Sequence, residues 1–215
     1  MSRDDWYRSE TWDDSAREAF EARLARSRTA FHRAQYLRIQ GVTLTGTNKR
    51  REVAAGRALL ERVIADFPGE VLEVAGAHSA LADSFLDSNP RAAVEHLRAC
   101  LALEQEQGRS FNHRAELRLA EILLKNDPTP TSLEEVTDLL DAAEPQAFFQ
   151  VEAWRIAVAR ARLYSKQGDT PGAAAQAKRA LALLADNTPK LPRHPDVGLI
   201  DPDRRTVKEM RKLAG

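Results

Sequence analysis

Cysteine is almost absent from this chain of 215 residues, which contains only Cys100. One cysteine cannot close an intramolecular disulfide, and no spacing of cysteine and histidine is typical of a zinc site, so the composition favours a reducing compartment. The first residues lack the apolar run of an export signal, and arginine and lysine interrupt the longest apolar stretches well short of a bilayer span. We therefore expect a soluble, cytoplasmic protein.

The chain also lacks an excess of charge of either sign. Its 32 basic and 32 acidic residues cancel to a formal net charge of +0. No global field then attracts nucleic acid or an anionic membrane, although local patches remain possible. We expect a protein or peptide partner, no membrane partner, and nucleic acid only as the unlikely case of an RNA bound by the distal arginines.

Catalytic motifs are missing as well. The chain has no glycine-rich phosphate loop and no nucleophile elbow, and its five histidines have no i, i+4 spacing. The sequence thus predicts a protein that is not an enzyme, with no metal and no cofactor. The alternative is a metal-dependent or enzymatic site built from Asp83, Asp87, Glu121 and His78 on neighbouring first helices, in which Asp83 and Asp87 share a helix face four residues apart.

What is present is a repeated pattern. A small residue followed three positions later by an apolar one recurs four times, in what we predict to be the first helix of each of four helix pairs. The pairs are Gly41 and Leu44, Ala82 and Phe85, Ala120 and Leu123, and Ala161 and Tyr164. A small residue lets two helices approach closely while larger apolar side chains fill the grooves beside it. Each small residue therefore predicts a helix crossing.

Each predicted second helix carries four residues that share one face, which we name the four quartets. They are Gly56, Leu60, Val63 and Ile64; Ala93, Leu97, Cys100 and Leu101; Val136, Leu140, Ala143 and Glu144; and Ala173, Ala177, Ala180 and Leu181. Steps of four and three return to the same side of a helix, which can then bury against a partner. Helix-forming residues dominate the rest of the chain, so the pattern predicts an all-α fold.

These patterns resemble the tetratricopeptide-repeat family. The fourth unit matches best, with Ala161, Tyr164, Gly168 and the last quartet at the family's spacings, and the first unit ends in Asp66-Phe67-Pro68 as family repeats do. The small residues lie 41, 38 and 41 positions apart, which is longer than the repeat of about 34 residues in that family. Loop insertions account for the difference.

The resemblance implies a right-handed α-α superhelix, a TPR-like solenoid of about four helix pairs with capping segments at both ends. It covers residues 31–186, and the chain departs from the family pattern at Trp154, Gln40 and Arg160. Residues 1–30 form an N-terminal aromatic and helical cap, and residues 187–215 form a proline-rich segment and a C-terminal capping helix.

Smaller features predict where helices begin and what the aromatic residues do. Thr11, Asn89 and Thr170 are predicted helix N-caps. Trp6, Tyr7 and Trp12 lie in the N-terminal segment, where we interpret them as covering the apolar end of the solenoid. The alternative is that these rings form a docking patch.

In the resembled family the first helices line a concave groove that binds a protein segment, so the resemblance implies a non-catalytic scaffold or adaptor. Carried over position by position, the groove has an acidic second unit and a basic distal half. The predicted groove residues are Arg38, Asp83, Asp87, Arg114, Arg118, Glu121, Lys125, Arg155, Arg162 and Lys166. An alternative is that this face is solvated and its charges pair with one another.

Overall fold

A computed structural model describes residues 5–110, 114–126, 129–191, 193–194 and 196–215. Within these ranges the chain forms ten α-helices and a short 3-10 turn, with no strand, so the predicted all-α fold is confirmed. The helices are α1 Asp14–Leu24, α2 Ala30–Thr45, α3 Arg50–Asp66, α4 Val71–Phe85, α5 Pro90–Gln107, α6 Ala115–Lys125, α7 Pro130–Ala143, α8 Gln150–Gln167, α9 Thr170–Ala185 and α10 Arg204–Ala214.

The chain divides into two compact units, Met1–Ala115 and Glu116–Gly215. Residues 1–4 of the predicted N-terminal cap and His113 lie outside the described residues, as do Pro128, Pro192 and Pro195. In the described part of the chain, every helix is too short or too polar to cross a membrane.

Two of the three predicted helix N-caps are wrong. Asn89 caps α5 as predicted, but Asp13 rather than Thr11 caps α1, and Asp169 rather than Thr170 caps α9. Each aspartate accepts a hydrogen bond from the backbone N–H three residues on, at 2.8 and 2.9 Å. Aspartate is the better N-cap because its short carboxylate accepts that bond and its charge interacts favourably with the helix dipole.

In the first unit α2 packs on α3 and α4 packs on α5. The backbones of α2 and α3 come closest at Gly41 and Gly56. A Cβ atom added at Gly56 would lie 2.7 Å from the carbonyl oxygen of Gly41 and 2.8 Å from the amide nitrogen of Thr45. The close approach predicted from the small residue at position 41 is therefore present, and glycine is required on both helices.

The four quartets occupy equivalent positions in α3, α5, α7 and α9, except that Glu144 lies just after α7, at the start of the 3-10 turn. In every quartet the first three residues are buried and the fourth is partly exposed. The fourth place lies at the margin of the buried face, which explains why Glu144 is tolerated there. Its carboxylate oxygens accept hydrogen bonds from Arg160 at 2.8 Å and from Arg179 at 2.6 Å.

Arg160, which replaces an apolar residue of the family pattern, is only 8% exposed. Its Nη2 donates to Asp141 at 2.6 Å as well as to Glu144. A buried guanidinium is costly unless it is paired, and these two carboxylates on and after α7 provide that pairing. The arginine at position 160 and the glutamate at position 144 therefore form one ion pair, which explains both departures from an apolar pattern.

The N-terminal aromatic side chains pack on the first unit. The ring of Trp6 lies 5.3 Å from that of Phe20 and 4.9 Å from that of Tyr36, measured between centroids. Tyr7 stacks on Tyr36 at 4.8 Å, and Trp12 meets Phe20 edge-on at 5.3 Å. All three N-terminal rings are partly buried, which favours the interpretation that they cover the apolar end of this unit.

Gln40, another departure from the family pattern, fastens this N-terminal segment. The side chain is 0% exposed. Its Oε1 accepts from the backbone N–H of Ser9 at 3.0 Å, and its Nε2 donates to the backbone carbonyl of Ser9 at 2.6 Å. A buried amide must be hydrogen-bonded, so a polar residue at position 40 is explained by the segment that crosses it.

Changing Gln40 to Ala should lower the free energy of unfolding by about 1–2 kcal/mol, because both backbone groups of Ser9 lose their partner. Urea unfolding followed by tryptophan fluorescence would measure it, since Trp6 and Trp12 lie in the segment that is released. Gln35→Ala on the same helix is the matched control, because Gln35 is only partly buried. Equal losses in the two variants would contradict this role for Gln40.

In the second unit the segment after α9 lies against the start of α8. Asn187 exchanges two hydrogen bonds with the backbone of Ile200, at 2.8 and 2.9 Å, and the backbone N–H of Val151 donates to the carbonyl of Gly198 at 3.2 Å. Helix α10 then packs mainly on α9, burying Met210 in a cluster with residues of α8 and α9.

Candidate functional site

The second unit contains an open cleft of about 770 Å³ between α6, α8 and α10. Five of the predicted groove residues line it, three from α8 and two from α6. It is lined by Glu121, Leu124, Lys125, Arg155, Val158, Ala159, Arg162, Lys166, Asp203, Arg205, Thr206 and Glu209. The cleft is within the range of about 300–1,000 Å³ that is usual for ligand pockets.

The floor of the cleft is apolar. Leu124, Val158 and Ala159 are 5%, 4% and 1% exposed, and they belong to the cores that hold α6 and α8 in place. These side chains pack into the cores behind the cleft, so only a small part of each one faces it. Charged side chains lie above it.

One charged pair joins α6 to α8. Arg155 forms a bidentate ion pair with Glu121, with Nε to Oε1 at 2.8 Å and Nη2 to Oε2 at 2.5 Å. Both side chains are about one-third exposed. Two parallel N–H···O bonds fix the plane of the guanidinium, so this pair links the two helices along one wall.

A second pair joins α8 to α10. Arg162 donates from Nε to Oε1 of Glu209 at 3.1 Å and from Nη2 to Oε2 at 2.7 Å. The hydrogen bond to Glu209 raises the pKa of Arg162, so the guanidinium stays charged. This contact holds α10 against the cleft, and a long polar contact of 3.4 Å from Arg162 to the hydroxyl of Thr206 lies beside it.

Asp203 has a structural role at the start of α10. Its carboxylate accepts from the backbone N–H of Thr206 at 2.8 Å and from the hydroxyl of the same residue at 2.6 Å. These two bonds lower the pKa of Asp203, so the residue is an ionised N-cap. Its charge is therefore directed at the helix rather than at the centre of the cleft.

Three cations of the cleft, Lys125, Lys166 and Arg205, have no carboxylate partner among the described residues. All three are exposed. The lysines lie in the last turns of α6 and α8, where the helix dipole favours a positive charge. Arg205 lies in the first turn of α10, where the dipole disfavours one, so helix stability does not explain its presence.

Other predicted groove residues lie in the first unit. Arg38 of α2 is paired with the buried Glu73 of α4, with 2.5 Å between Nε and Oε2. The prediction that Asp83 and Asp87 share a helix face is wrong, because α4 ends at Phe85 and Asp87 lies in the turn that follows.

The remaining predicted groove residues flank the start of α6. Arg114 precedes the helix with a φ of 52°, in the left-handed region, and Arg118 lies on the helix, partly buried. Neither is among the residues that line the cleft of the second unit.

No group of three or more histidine, cysteine, aspartate or glutamate residues is arranged to hold a metal ion in the part of the chain that the structure describes.

Sequence reasoning missed a histidine pair in the first unit. The Nδ1 atoms of His78 on α4 and His96 on α5 lie 3.0 Å apart, so one donates a hydrogen bond to the other. His96 also stacks on Phe85. Burial, with a smaller contribution from the neighbouring His96, lowers the pKa of His78 from 6.5 to about 4. The two residues are 18 positions apart, and only the packing of α4 on α5 brings them together.

Sequence reasoning also missed every cleft residue contributed by α10 and its N-cap, namely Asp203, Arg205, Thr206 and Glu209. The basic run near the C-terminus was predicted to form a capping helix, but its charged residues could not be assigned to the groove without knowing where that helix docks.

No protein-family model matches the chain, and neither a curated protein nor a solved structure is significantly similar to it.

Proposed function

We propose that this chain is a non-catalytic protein-interaction module, and that the cleft of the second unit holds a short segment of a partner protein. The observation that carries the proposal is a cleft of about 770 Å³ with aliphatic residues at its base and charged groups around it. Three of these charged groups have no carboxylate partner among the described residues. Peptide-binding grooves on helices combine apolar contacts that give affinity with polar groups that select and orient the ligand.

We further propose that the helix pairs form a TPR-like, right-handed superhelix that serves as a scaffold or adaptor. Its support is the repeated burial of equivalent positions in α3, α5, α7 and α9, which is the regularity expected when similar units stack. Interaction through an inner helical surface is the usual use of such architectures, and the five sequence-predicted residues that meet in the cleft lie on first helices.

The chemistry of the cleft favours binding over catalysis. The described residues that line it include no histidine and no cysteine. Glu121 and Glu209 are each held by an arginine at 2.5 to 3.1 Å, so neither is poised to move a proton. The only hydroxyl among the described lining residues, that of Thr206, donates a hydrogen bond to the N-cap Asp203. No other described residue of the lining is placed to accept its proton, so these residues do not form an activated nucleophile.

Selection of peptides from a random phage-displayed library, followed by NMR footprinting, tests the proposal. A selected peptide should shift the amide resonances of α6, α8 and α10 and leave those of α2 and α3 unchanged. A double variant of exposed apolar residues in the first unit, Val42→Lys with Leu86→Lys, should bind the same peptide equally well. Failure to select any peptide, or a footprint confined to the first unit, would overturn the proposed function.

A further inference from the structure

We infer that the segment bound in the cleft is acidic, an extended stretch of a partner protein whose aspartate or glutamate side chains are recognised by Lys125, Lys166 and Arg205. This inference rests on the proposed function and specifies its ligand. The three cations come from three different helices, so a ligand that contacts all of them has to lie across the cleft rather than along one helix.

The first step of the argument is the pairing of charges within the cleft. Arg155 and Arg162 are neutralised by Glu121 and Glu209 through bidentate contacts. These pairs give the walls their shape and add no net charge. The groups left over are the two lysines, Arg205 and the N-cap Asp203.

Helix dipoles change this balance but do not reverse it. The C-terminal turns of α6 and α8 each contribute roughly half a negative charge, and the N-terminus of α10 contributes roughly half a positive one. Lys125, Lys166 and Arg205 contribute three positive charges and Asp203 one negative charge. The cleft therefore keeps an excess of between one and two positive charges, in a chain whose formal net charge is +0.

Arg205 is the residue that points most directly to a ligand. It lies in the first turn of α10, exposed, with no described carboxylate partner, and at the end of the helix where a cation is unfavourable. A guanidinium binds a carboxylate through two parallel hydrogen bonds. The carboxylate of Asp203 already caps the positive end of α10, so the guanidinium of Arg205 is the group at this position that an incoming carboxylate would bind.

A protein segment fits this cleft better than a nucleic acid does. None of the described residues that line the cleft is aromatic, whereas single-stranded nucleic acids are held by bases stacked on aromatic rings. At the base of the cleft Leu124, Val158 and Ala159 instead offer a small aliphatic contact for a peptide. With about 770 Å³ of space, the cleft accepts a few residues of an extended chain.

Fluorescence anisotropy with three labelled decapeptides tests the inference. The probes are alternating Glu and Leu, its counterpart with Gln in place of Glu, and a version with Lys in place of Glu. We expect the glutamate peptide to bind at least tenfold more tightly than the glutamine peptide. The difference should shrink at high salt, because screening weakens exposed charge interactions.

Two triple variants with equal changes in charge identify the residues responsible. Lys125→Gln with Lys166→Gln and Arg205→Gln should weaken binding of the glutamate peptide at least tenfold and leave that of the glutamine peptide within about twofold. The matched control is Lys178→Gln with Lys208→Gln and Arg211→Gln, three exposed cations of the same unit outside the cleft. It should leave both affinities unchanged.

The outcomes separate this inference from the proposed function. Equal affinity for the glutamate and glutamine peptides, equal losses in the two triple variants, or tighter binding of an RNA decamer than of the glutamate peptide would overturn the acidic ligand. If a peptide selected from the random library still perturbs α6, α8 and α10, the proposed function survives that result. If no peptide gives a footprint in the cleft, both fail.

Discussion

Changing Gly56 to Ala is expected to lower the free energy of unfolding of the first unit by about 2 kcal/mol. The new Cβ would lie 2.7 Å from the carbonyl oxygen of Gly41 and 2.8 Å from the amide nitrogen of Thr45. These are backbone atoms, so no side-chain rotation can relieve the contact and α2 has to move away from α3. Overpacking of a core costs about 1–3 kcal/mol, and the separation also loosens the packing of buried residues such as Leu60.

The helix propensity of alanine works in the other direction. It favours the variant by about 1 kcal/mol over glycine in a helix interior. This gain reduces an overpacking cost of about 3 kcal/mol to the expected net loss of about 2 kcal/mol. Urea unfolding of the Gly56→Ala and Gly69→Ala variants measures the difference, because a Cβ at Gly69 would have no atom within 4 Å. The interpretation is wrong if Gly56→Ala is within about 0.5 kcal/mol of that control, the usual range for neutral surface changes.

Acidification is expected to destabilise the first unit through His78 and His96. Burial lowers the pKa of both, that of His78 to about 4 from 6.5. The folded protein then binds fewer protons than the unfolded chain between about pH 4 and 6.5, so the free energy of unfolding falls as the pH drops through that window. Above that window the two histidines are neutral in both the folded and the unfolded protein, so they contribute no pH dependence to the free energy of unfolding.

The size of the effect is set by the partial exposure of the pair. One pKa unit corresponds to about 1.36 kcal/mol, and screening by solvent reduces what the shift at His78 would otherwise contribute. The charges of Glu61 and Glu95 oppose the shift at His96. We therefore expect a loss of about 2 kcal/mol between pH 7.5 and pH 4.5.

Urea unfolding at a series of pH values measures this loss, and the slope matters more than the absolute stability. The double variant His78→Gln with His96→Gln should flatten the pH dependence between pH 6.5 and pH 4.5. His194→Gln removes an exposed histidine of the second unit and should leave the slope as it is. An unchanged slope in the double variant would show that other groups govern the acid response.

The helices and their buried faces were predictable because they depend on local periodicity. Burial at intervals of three and four follows from helix geometry alone, so each quartet could be identified without knowing its neighbours. Gly41 and Ala161 were also recognisable, since a small residue among large apolar ones in a helix interior usually marks the point where two helices cross. The two threonine N-caps were wrong because an aspartate stood nearby and competed for the same hydrogen bond.

The parts that could not be predicted depend on contacts between distant segments. Gln40 and Arg160 stood out as departures, but their partners are the backbone of Ser9 and the carboxylates of Asp141 and Glu144. The pairing of Arg162 with Glu209 spans 47 positions. Charge patterns along a chain show which residues are available for pairing, and only the packing of helices determines which of them meet.

One wall of the cleft is a helix of 11 residues, held by the burial of Met210 and Thr206 and by the ion pair of Arg162 with Glu209. Short helices fray more readily than the cores they rest on. For the proposed peptide, the binding-competent population would be the fraction of molecules in which α10 is docked, and the apparent dissociation constant would be the intrinsic one divided by that fraction. A ligand joining Arg205 to Lys166 would in turn protect α10 from local unfolding.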